Sequence, residues 1–300
     1  MSARHGNKRK GVLAVALLGL LLSGGAHAGP KVTLIGDYHS SAIMDEIARA
    51  EASEIRRTGE INVLESVSTG VSLRSLAATA GVTAMADLLQ QSDIALIVMD
   101  ATVGPTPLMR EHILIARQAR VPMLALLVSN VARLYASAPE ESDELLAIEI
   151  QEVRDLLSNY DLNGDAIGAY YDAPVAQALP GVEAFGNRES LRSLAKFAPR
   201  RVHGAQGIQT KDIWSAVYLL TELENPGAAV SLAPRDTLIV WSEGTHSKAS
   251  LSSLSEYHPG DYREMRLTLE SAVRGTLGSR ILLVSGERVV GLGAITQIGH

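Results

Sequence analysis

Residues 93–100 read Asp-Ile-Ala-Leu-Ile-Val-Met-Asp, and this stretch decides the fold class. An apolar run without alternation is typical of a strand that is buried on both faces, because a half-exposed strand alternates apolar and polar residues. Similar runs occur at 31–36 (Lys-Val-Thr-Leu-Ile-Gly) and at 122–128 (Pro-Met-Leu-Ala-Leu-Leu-Val). Strands buried on both faces belong to parallel sheets covered by helices, so the sequence predicts an α/β domain with a parallel sheet.

Segments with helical spacing lie between and after these strands, as the α/β interpretation requires. The apolar spacing predicts helices at 41–57, 73–89, 106–120, 142–160 and 189–197, and two further strands at 61–64 and 167–171. Gly81 lies inside the segment 73–89 and disfavours a continuous helix there. Pro107 fits the first turn of its helix, where the missing N–H has no intrahelical partner to lose.

The pattern changes after Pro199, where no further segment has helical spacing. Strand candidates separated by Gly and Pro follow at 211–222, 237–241, 264–269, 280–285 and 289–298. This pattern predicts a small all-β barrel or sandwich. We therefore expect an α/β domain at 29–203 and a C-terminal β-barrel domain at 204–300, with separate cores and a linker near 200–209.

The first 28 residues have the order of a secretory signal peptide. Four basic residues precede an apolar run at 12–22, and Ala26-His27-Ala28 offers the small residues that a signal peptidase recognises. An ordinary N-terminal helix is the alternative, but it would carry polar residues at every third or fourth position. We expect cleavage before Gly29, a periplasmic or secreted protein, and no stable membrane anchor after cleavage.

The composition of the chain excludes some classes of function, namely those that depend on cysteine, and argues against others. The chain is 46% hydrophobic and 20% charged, which is typical of globular proteins, and it contains no cysteine for disulfides, thiolate metal sites or a thiol nucleophile. Removal of the leader's four basic residues from 27 leaves 23 against 33 acidic residues, a net charge of −10. Because an acidic surface repels phosphate backbones, we do not expect nucleic acid to be a partner.

A long segment beginning at Asp100 resembles a known family. Residues 100–118 read Asp-Ala-Thr-Val-Gly-Pro-Thr-Pro-Leu-Met-Arg-Glu-His-Ile-Leu-Ile-Ala-Arg-Gln, similar to a strand–loop–helix segment of the elongation factor Tu family of translational GTPases. Residues 149–161, 210–219, 258–270 and 290–298 extend the resemblance over most of 31–298. It implies a P-loop-GTPase-like domain followed by the family's last β-barrel. Only residues 200–209 separate the two, so it also implies that the family's middle barrel is missing.

The phosphate-binding positions that the resemblance implies are broken. The family's Gly-x-x-x-x-Gly-Lys-Ser/Thr frame falls on Gly36 to Ile43, so that Ser41 replaces the second glycine and Ala42 replaces the lysine. Ala42 carries no positive charge, and Ile43 has no hydroxyl to hold Mg²⁺. Asp37 adds negative charge where phosphates would lie.

The remaining nucleotide motifs are broken as well. The guanine-reading Asn-Lys-x-Asp frame falls on 129–132, where Ser129 and Asn130 are followed by Val131 and Ala132, so the guanine-pairing aspartate is absent. The Asp-x-x-Gly-His frame falls on 78–82, the Ser-Ala-Leu motif falls near 174–176, and the switch threonine has no counterpart near 59–60.

These losses predict a pseudo-GTPase with no catalytic residue, no metal site and no cofactor. We expect its role to be non-enzymatic, as a protein-binding or chaperone-like protein. The alternative is a genuine GTP-binding elongation-factor-type GTPase, with GTP or GDP and Mg²⁺ as cofactors.

Four other features have ordinary explanations. Residues 161–165 resemble a calcium loop but lack its Gly and Glu positions, so we interpret them as a turn. Asp37, His39 and Ser40 allow a hydrolase hypothesis, but such polar residues are common in loops. We expect His112 to be a packing or surface residue. Trp214 and Trp241 lie on predicted barrel strands, where core packing or a contact between barrel and α/β domain is expected.

Overall fold

The computed structural model of the protein describes residues 29–36, 40–172, 182–183, 186–199, 207–252 and 255–299. The predicted signal peptide at 1–28 lies outside these residues, as do Asp37, His39 and the frame at 174–176. Residues 200–206 of the predicted linker lie outside them too, so the proposed domain boundary stays a prediction.

The first part of the chain contains strands and helices, as predicted, but they do not alternate strictly, because three strands follow one another after the first helix. Its strands are β1 (Lys31–Gly36), β2 (Arg56–Thr58), β3 (Ile61–Ser66), β4 (Val71–Leu76), β5 (Ile94–Asp100), β6 (Met123–Ser129), β7 (Gly168–Tyr171) and β8 (Val182–Glu183). Its helices are α1 (Ser40–Glu51), α2 (Val82–Gln90), α3 (Pro107–Gln118), α4 (Val131–Ser137), α5 (Ser142–Asn159) and α6 (Asn187–Lys196). The apolar run at 93–100 contains β5, a central strand of the sheet, and every residue of β5 is buried.

The sheet is mixed and not wholly parallel, which corrects the sequence prediction. The strand order is β2-β3-β4-β1-β5-β6-β7-β8, with parallel pairing from β4 to β8 and antiparallel pairing among β2, β3 and β4. The two antiparallel links are tight turns in which Gly59 and Gly70 have positive φ, +61° and +71°. Such short connections can only join antiparallel strands, because a parallel pair needs a crossover of a dozen or more residues.

Two of the predicted helices are shorter than expected. Residues 71–76 form β4, because this segment pairs with β1 on one side and β3 on the other and the Leu73 and Ser75 side chains are buried. The helix α2 begins only after Gly81. The helix predicted at 41–57 ends at Glu51, since Ala52 adopts a left-handed φ of +49°. The helix α4 was not predicted from the sequence.

The second part of the chain is a closed six-stranded antiparallel barrel, which confirms the prediction of a barrel. Its strands are β9 (Ile208–Leu219), β10 (Thr237–Ser242), β11 (Thr245–Leu251), β12 (Tyr262–Gly275), β13 (Arg280–Ser285) and β14 (Arg288–Ile298), in the order β10-β11-β12-β9-β14-β13. The strand β11 was missed because five of its seven residues are polar, so its sequence shows no sustained alternation of apolar and polar residues.

The barrel packs its outer face against α2 and α3. The barrel interior has its own cluster around Val217, Met265 and Leu267. A second cluster is shared, because Trp241, Leu282 and other outward-facing barrel residues pack into the core of the α/β domain. The expectation of two fully separate cores is therefore wrong.

Candidate functional site

A cavity of about 740 Å³ lies where the carboxyl end of β1, the first turns of α1, α2 and α3, and the β13–β14 turn meet. Gly36 and Ser41 of the phosphate frame and Gly81 of the Asp-x-x-Gly-His frame line it, as does Gly59, near which the switch threonine has no counterpart. The frame at 129–132 does not, because it follows β6, two strands away from β1 in the sheet.

Gly36 and His112 form the end wall of this cavity. Gly36 has φ +101°, and a Cβ placed on it would lie 2.5 Å from the Val98 carbonyl oxygen, so only glycine fits. Its backbone N–H donates to Nδ1 of His112 over 2.9 Å. Burial lowers the pKa of His112 to about 4, so the ring is neutral at neutral pH. Since Nδ1 accepts a hydrogen bond, the ring proton of the neutral form resides on Nε2.

His112 is therefore more than the packing or surface residue expected from the sequence. No sequence motif indicates this role, because it depends on a contact between residues 76 positions apart. The only available signal is its place in the first turns of a helix that follows a buried strand, at the edge of the sheet where α/β proteins bind ligands.

Of the other positions in the phosphate frame, two have exposed side chains and one has a buried side chain. Ser41 and Ala42 are exposed in the first turn of α1, whereas Ile43 is 4% exposed and packs in the cluster beneath the sheet. The cationic side chains that line the cavity come from elsewhere, namely Arg57 on the edge strand β2 and Arg288 on β14.

A buried carboxylate fixes the barrel side of the cavity. Glu111 on α3 is 3% exposed and accepts hydrogen bonds from Arg288 Nε at 2.9 Å, Val289 N at 2.7 Å and Asn225 Nδ2 at 3.2 Å. Arg288 also donates to Asn225 Oδ1 at 2.7 Å. The negative charge of the carboxylate is therefore balanced by a guanidinium and by hydrogen-bond donors, as a buried charge requires.

Two guanine-frame residues, Ser129 and Asn130, form hydrogen bonds that connect the end of β6 to β5 and to Asp172. Asn130 has a left-handed φ of +57°, its Nδ2 donates to Asp100 Oδ2 at 2.8 Å, and its backbone N–H donates to Asp172 Oδ2 at 2.6 Å. Ser129 Oγ donates to the Met99 carbonyl oxygen at 3.0 Å. Ala132 is exposed in the first turn of α4.

Glu149 on α5 lies near Asp100 of the guanine-frame group, and the sequence did not predict it as a site residue. Its Oε2 is buried with no hydrogen-bond partner among the described residues, and its Oε1 lies 3.3 Å from the Cβ position of Gly104. Burial, followed by repulsion from Asp100 and Glu152, raises the pKa of Glu149 to about 7. A carboxyl group whose pKa is raised by burial cannot be recognised from its position in an otherwise regular helix.

The remaining predicted features are accounted for individually. Trp241 is fully buried and its Nε1 donates to Asp87 on α2 at 2.7 Å, which confirms the expected barrel–domain contact. Trp214 instead lies under the guanidinium of Arg266, 4.8 Å from the ring centroid. Asp161 has φ +55° and pairs with Arg117 at 2.8 Å, as expected for a turn.

In the parts of the chain that the structure describes, no group of three or more His, Asp or Glu side chains is placed to hold a metal ion. None of the helices within those parts is both long enough and apolar enough to span a membrane.

No model of a known protein family matches this chain.

Proposed function

We propose that the protein is an exported, non-enzymatic binding protein whose α/β domain is a degenerate relative of the elongation factor Tu GTPases. The observation that carries the proposal is the hydrogen bond from Gly36 N to His112 Nδ1 at 2.9 Å. In a phosphate-binding loop, backbone N–H groups at this turn are directed toward phosphate oxygens. Here the backbone N–H of Gly36 instead donates to Nδ1 of His112, whose ring is neutral at neutral pH.

The side chains around that turn support the same conclusion. A phosphate site needs a lysine to neutralise charge and a hydroxyl to hold Mg²⁺. Ala42 supplies no charge, and Ile43 is buried among the apolar residues under the sheet. Arg57 and Arg288 line the cavity, but the second of them already pairs with Glu111.

The residues of the guanine frame, after β6, support the same proposal. A guanine base is read by an aspartate that accepts two hydrogen bonds from the base edge. The methyl group of Ala132 cannot accept a hydrogen bond, and the amide of Asn130 is already bonded to Asp100 at 2.8 Å. Neither residue is therefore available to a base.

A binding role is the function that remains when the chemistry of nucleotide hydrolysis is lost. The barrel and the α/β domain keep a fixed arrangement through the shared core and the Glu111 network. Such a rigid two-domain frame suits the display of a binding surface. The net charge of −10 expected after removal of the leader favours a protein partner over nucleic acid.

Thermal or urea unfolding with and without GDP and Mg²⁺ tests the loss of nucleotide binding. At about 1 mM GDP, a site with a Kd near 10 μM would raise the free energy of unfolding by about 2.7 kcal/mol. We expect no change, and magnesium chloride alone with AMP serves as the control for ionic effects. Stabilisation that needs both GDP and Mg²⁺ would overturn the pseudo-GTPase proposal and support a genuine GTPase.

Mass spectrometry of the protein from cell fractions tests export. We expect a mature N-terminus at Gly29 in the periplasmic or extracellular fraction. A cytoplasmic protein that begins at Met1 would contradict the export proposal without affecting the proposal about nucleotide.

A further inference from the structure

We propose that the cavity between the two domains binds a small, largely apolar carboxylate. The inference goes beyond the proposed function, because it concerns a small ligand and needs neither a protein partner nor descent from a GTPase. The size and position of the cavity are those of a ligand site. Its volume of about 740 Å³ falls within the range of small-molecule pockets, which often form between domains.

The walls of the cavity are held in place before any ligand arrives. Gly36 is fixed by His112 on one side, and Glu111 is bonded to Arg288 and Val289 on the other. A preformed cavity loses less conformational freedom on binding than one that must be assembled around the ligand.

Much of the lining is apolar, and this part of it comes from the α/β domain. Five side chains form this part of the wall: Leu76, Val82, Met85, Pro107 and Leu108. They belong to the end of β4 and to the first turns of α2 and α3. An alkyl or aryl group placed against them would be removed from water, which is the main source of affinity for apolar ligands.

The polar part of the lining contains two arginines and two glutamates, and Arg57 is the arginine that has no ion pair among the described residues. Arg57 is exposed at the cavity rim, and no acidic side chain among the described residues lies within ion-pair distance of it. Of the two acidic residues in the lining, Glu111 is paired with Arg288, and Glu287 is exposed on the β13–β14 turn. A guanidinium binds a carboxylate through two parallel hydrogen bonds.

Neutral donors complete the polar end. Ser40 and Ser41 line the cavity with hydroxyl groups, and His112 presents a ring whose proton resides on Nε2. One arginine with neutral donors matches the single charge of a carboxylate better than the two charges of a phosphate monoester. The class of ligand is therefore an apolar body with one carboxylate head.

Calorimetric titration of the full chain with octanoate and with octanamide tests the proposal. The two probes have the same apolar tail and differ in the charge of the head. We expect octanoate to bind once per chain with a Kd in the range of about 10–100 μM, and octanamide to bind about tenfold more weakly, as the loss of one charge-assisted contact predicts.

Two substitutions on the same edge strand separate a site-specific charge from the general charge of the surface. Arg57→Gln should weaken octanoate binding about tenfold and leave octanamide binding unchanged. Arg56→Gln is the matched control, because Arg56 is an exposed neighbour on β2 that does not line the cavity. It should leave the binding of both probes unchanged.

Two further substitutions test the location by filling the cavity. Leu108→Trp and Ala80→Phe each place a larger side chain in the lining, on α3 and on the loop before α2, and either one that keeps the parent's circular dichroism and melting temperature should abolish binding of both probes. Equal affinity for octanoate and octanamide would overturn the assignment of the head group. Unchanged binding by a folded, filled variant, or no binding of either probe up to about 1 mM, would overturn the site itself.

Discussion

The carboxylate of Glu111 on α3 and the guanidinium of Arg288 on β14 meet at 2.9 Å across the boundary between the two domains. The Glu111 side chain is 4% exposed and that of Arg288 is 37% exposed, so one member of the pair is buried and the other reaches toward solvent. Val289 N and Asn225 Nδ2 donate to the same carboxylate. The contact therefore fixes both the distance and the orientation of the barrel relative to α3.

Removal of the Glu111 carboxylate should destabilise the protein strongly. In Glu111→Ala, the Val289 N–H and the Asn225 amide lose an acceptor in a buried place, so we expect the free energy of unfolding to fall by about 3 kcal/mol. Urea denaturation followed by circular dichroism measures this. Glu152→Ala is the control, since it breaks an exposed pair with Arg110 at 3.2 Å and should cost less than about 1 kcal/mol. Similar losses in the two variants would contradict the importance of the buried network.

The shared core predicts that barrel and α/β domain unfold together. Trp241 belongs to the barrel but packs within the cluster of the α/β domain, so it should lose its environment when either part unfolds. In Trp214→Phe, Trp241 is the only tryptophan left of the two in the chain. Its fluorescence and the far-ultraviolet circular dichroism should then show the same midpoint in urea. Two separate midpoints, or two calorimetric peaks, would indicate domains that unfold independently.

His112 should make the protein sensitive to acid. Its pKa is lowered from 6.5 to about 4 in the folded state, so as the pH falls the unfolded chain takes up a proton before the folded one does. The stability contributed by the neutral ring is complete above pH 6.5 and is lost progressively down to about pH 4. Between pH 7 and pH 5 the loss should be about 1.5 kcal/mol.

His112→Gln removes this titration while it keeps a polar side chain near Gly36. We expect the variant to lose less stability than the parent between pH 7 and pH 5 in urea denaturation. His246→Gln, on the exposed side of β11, is the matched control and should keep the parent's acid sensitivity. The same pH dependence in all three proteins would show that another group is responsible.

Glu149 should have the opposite effect on the pH dependence of stability. Its pKa is raised from 4.5 to about 7, so the folded state favours the protonated form, and the charged form destabilises the fold at high pH. The penalty is absent below pH 4.5 and complete above about pH 7. Because the side chain is only half-buried, we expect about 1 kcal/mol after allowance for solvent screening.

Glu149→Gln should therefore stabilise the protein at pH 8 and have no effect at pH 4.5. Urea denaturation at the two pH values measures the difference. Glu144→Gln, in the exposed first turn of the same helix, removes a charge that is favourable near a helix N-terminus and should cost a few tenths of a kcal/mol at pH 8. A gain in both variants would point to general charge reduction and not to the buried oxygen of Glu149.

The fold class could be predicted because burial leaves a direct mark on the sequence. The run at 93–100 predicts a strand covered on both faces, and β5 is completely buried. The position of β4 could not be predicted, since Val71-Ser-Leu-Arg-Ser-Leu contains spacings that also fit a helix, and only pairing with β1 and β3 decides between them. The mixed sheet depends on turns at Gly59 and Gly70, which have no strong flanking pattern.

The candidate site was predicted only in part. The frames that contain Gly36 and Gly81 do lie on one cavity, because both follow strands that end at the same edge of the sheet. His112, Glu111 and Arg288 were not anticipated as site residues, because their roles arise from contacts over long sequence separations. Such contacts leave no periodic signal in one sequence.

Restoration of the lost motif residues should not restore nucleotide binding. In the variant that combines Ala42→Lys, Ile43→Thr and Ala132→Asp, the three positions expected to supply the phosphate charge, the Mg²⁺ ligand and the guanine acceptor again carry the residue types of a GTPase. However, residue 43 packs in the core beneath the sheet, the Gly36 N–H stays bonded to His112, and Asn130 stays bonded to Asp100. The threonine hydroxyl would enter an apolar cluster and lower the free energy of unfolding by about 2 kcal/mol.

We therefore expect no binding of GDP with Mg²⁺ up to about 1 mM, where a Kd of 1 mM corresponds to a binding free energy of about −4.1 kcal/mol. Calorimetric titration measures this directly. The variant with only Ala42→Lys and Ala132→Asp changes two exposed positions and should keep the parent's stability within about 0.5 kcal/mol, so that a failure to bind is not a failure to fold. Micromolar, Mg²⁺-dependent binding of GDP by the triple variant would mean that three side chains alone separate this chain from an active nucleotide site. In that case the internal hydrogen bonds of Gly36 and Asn130 do not prevent nucleotide binding.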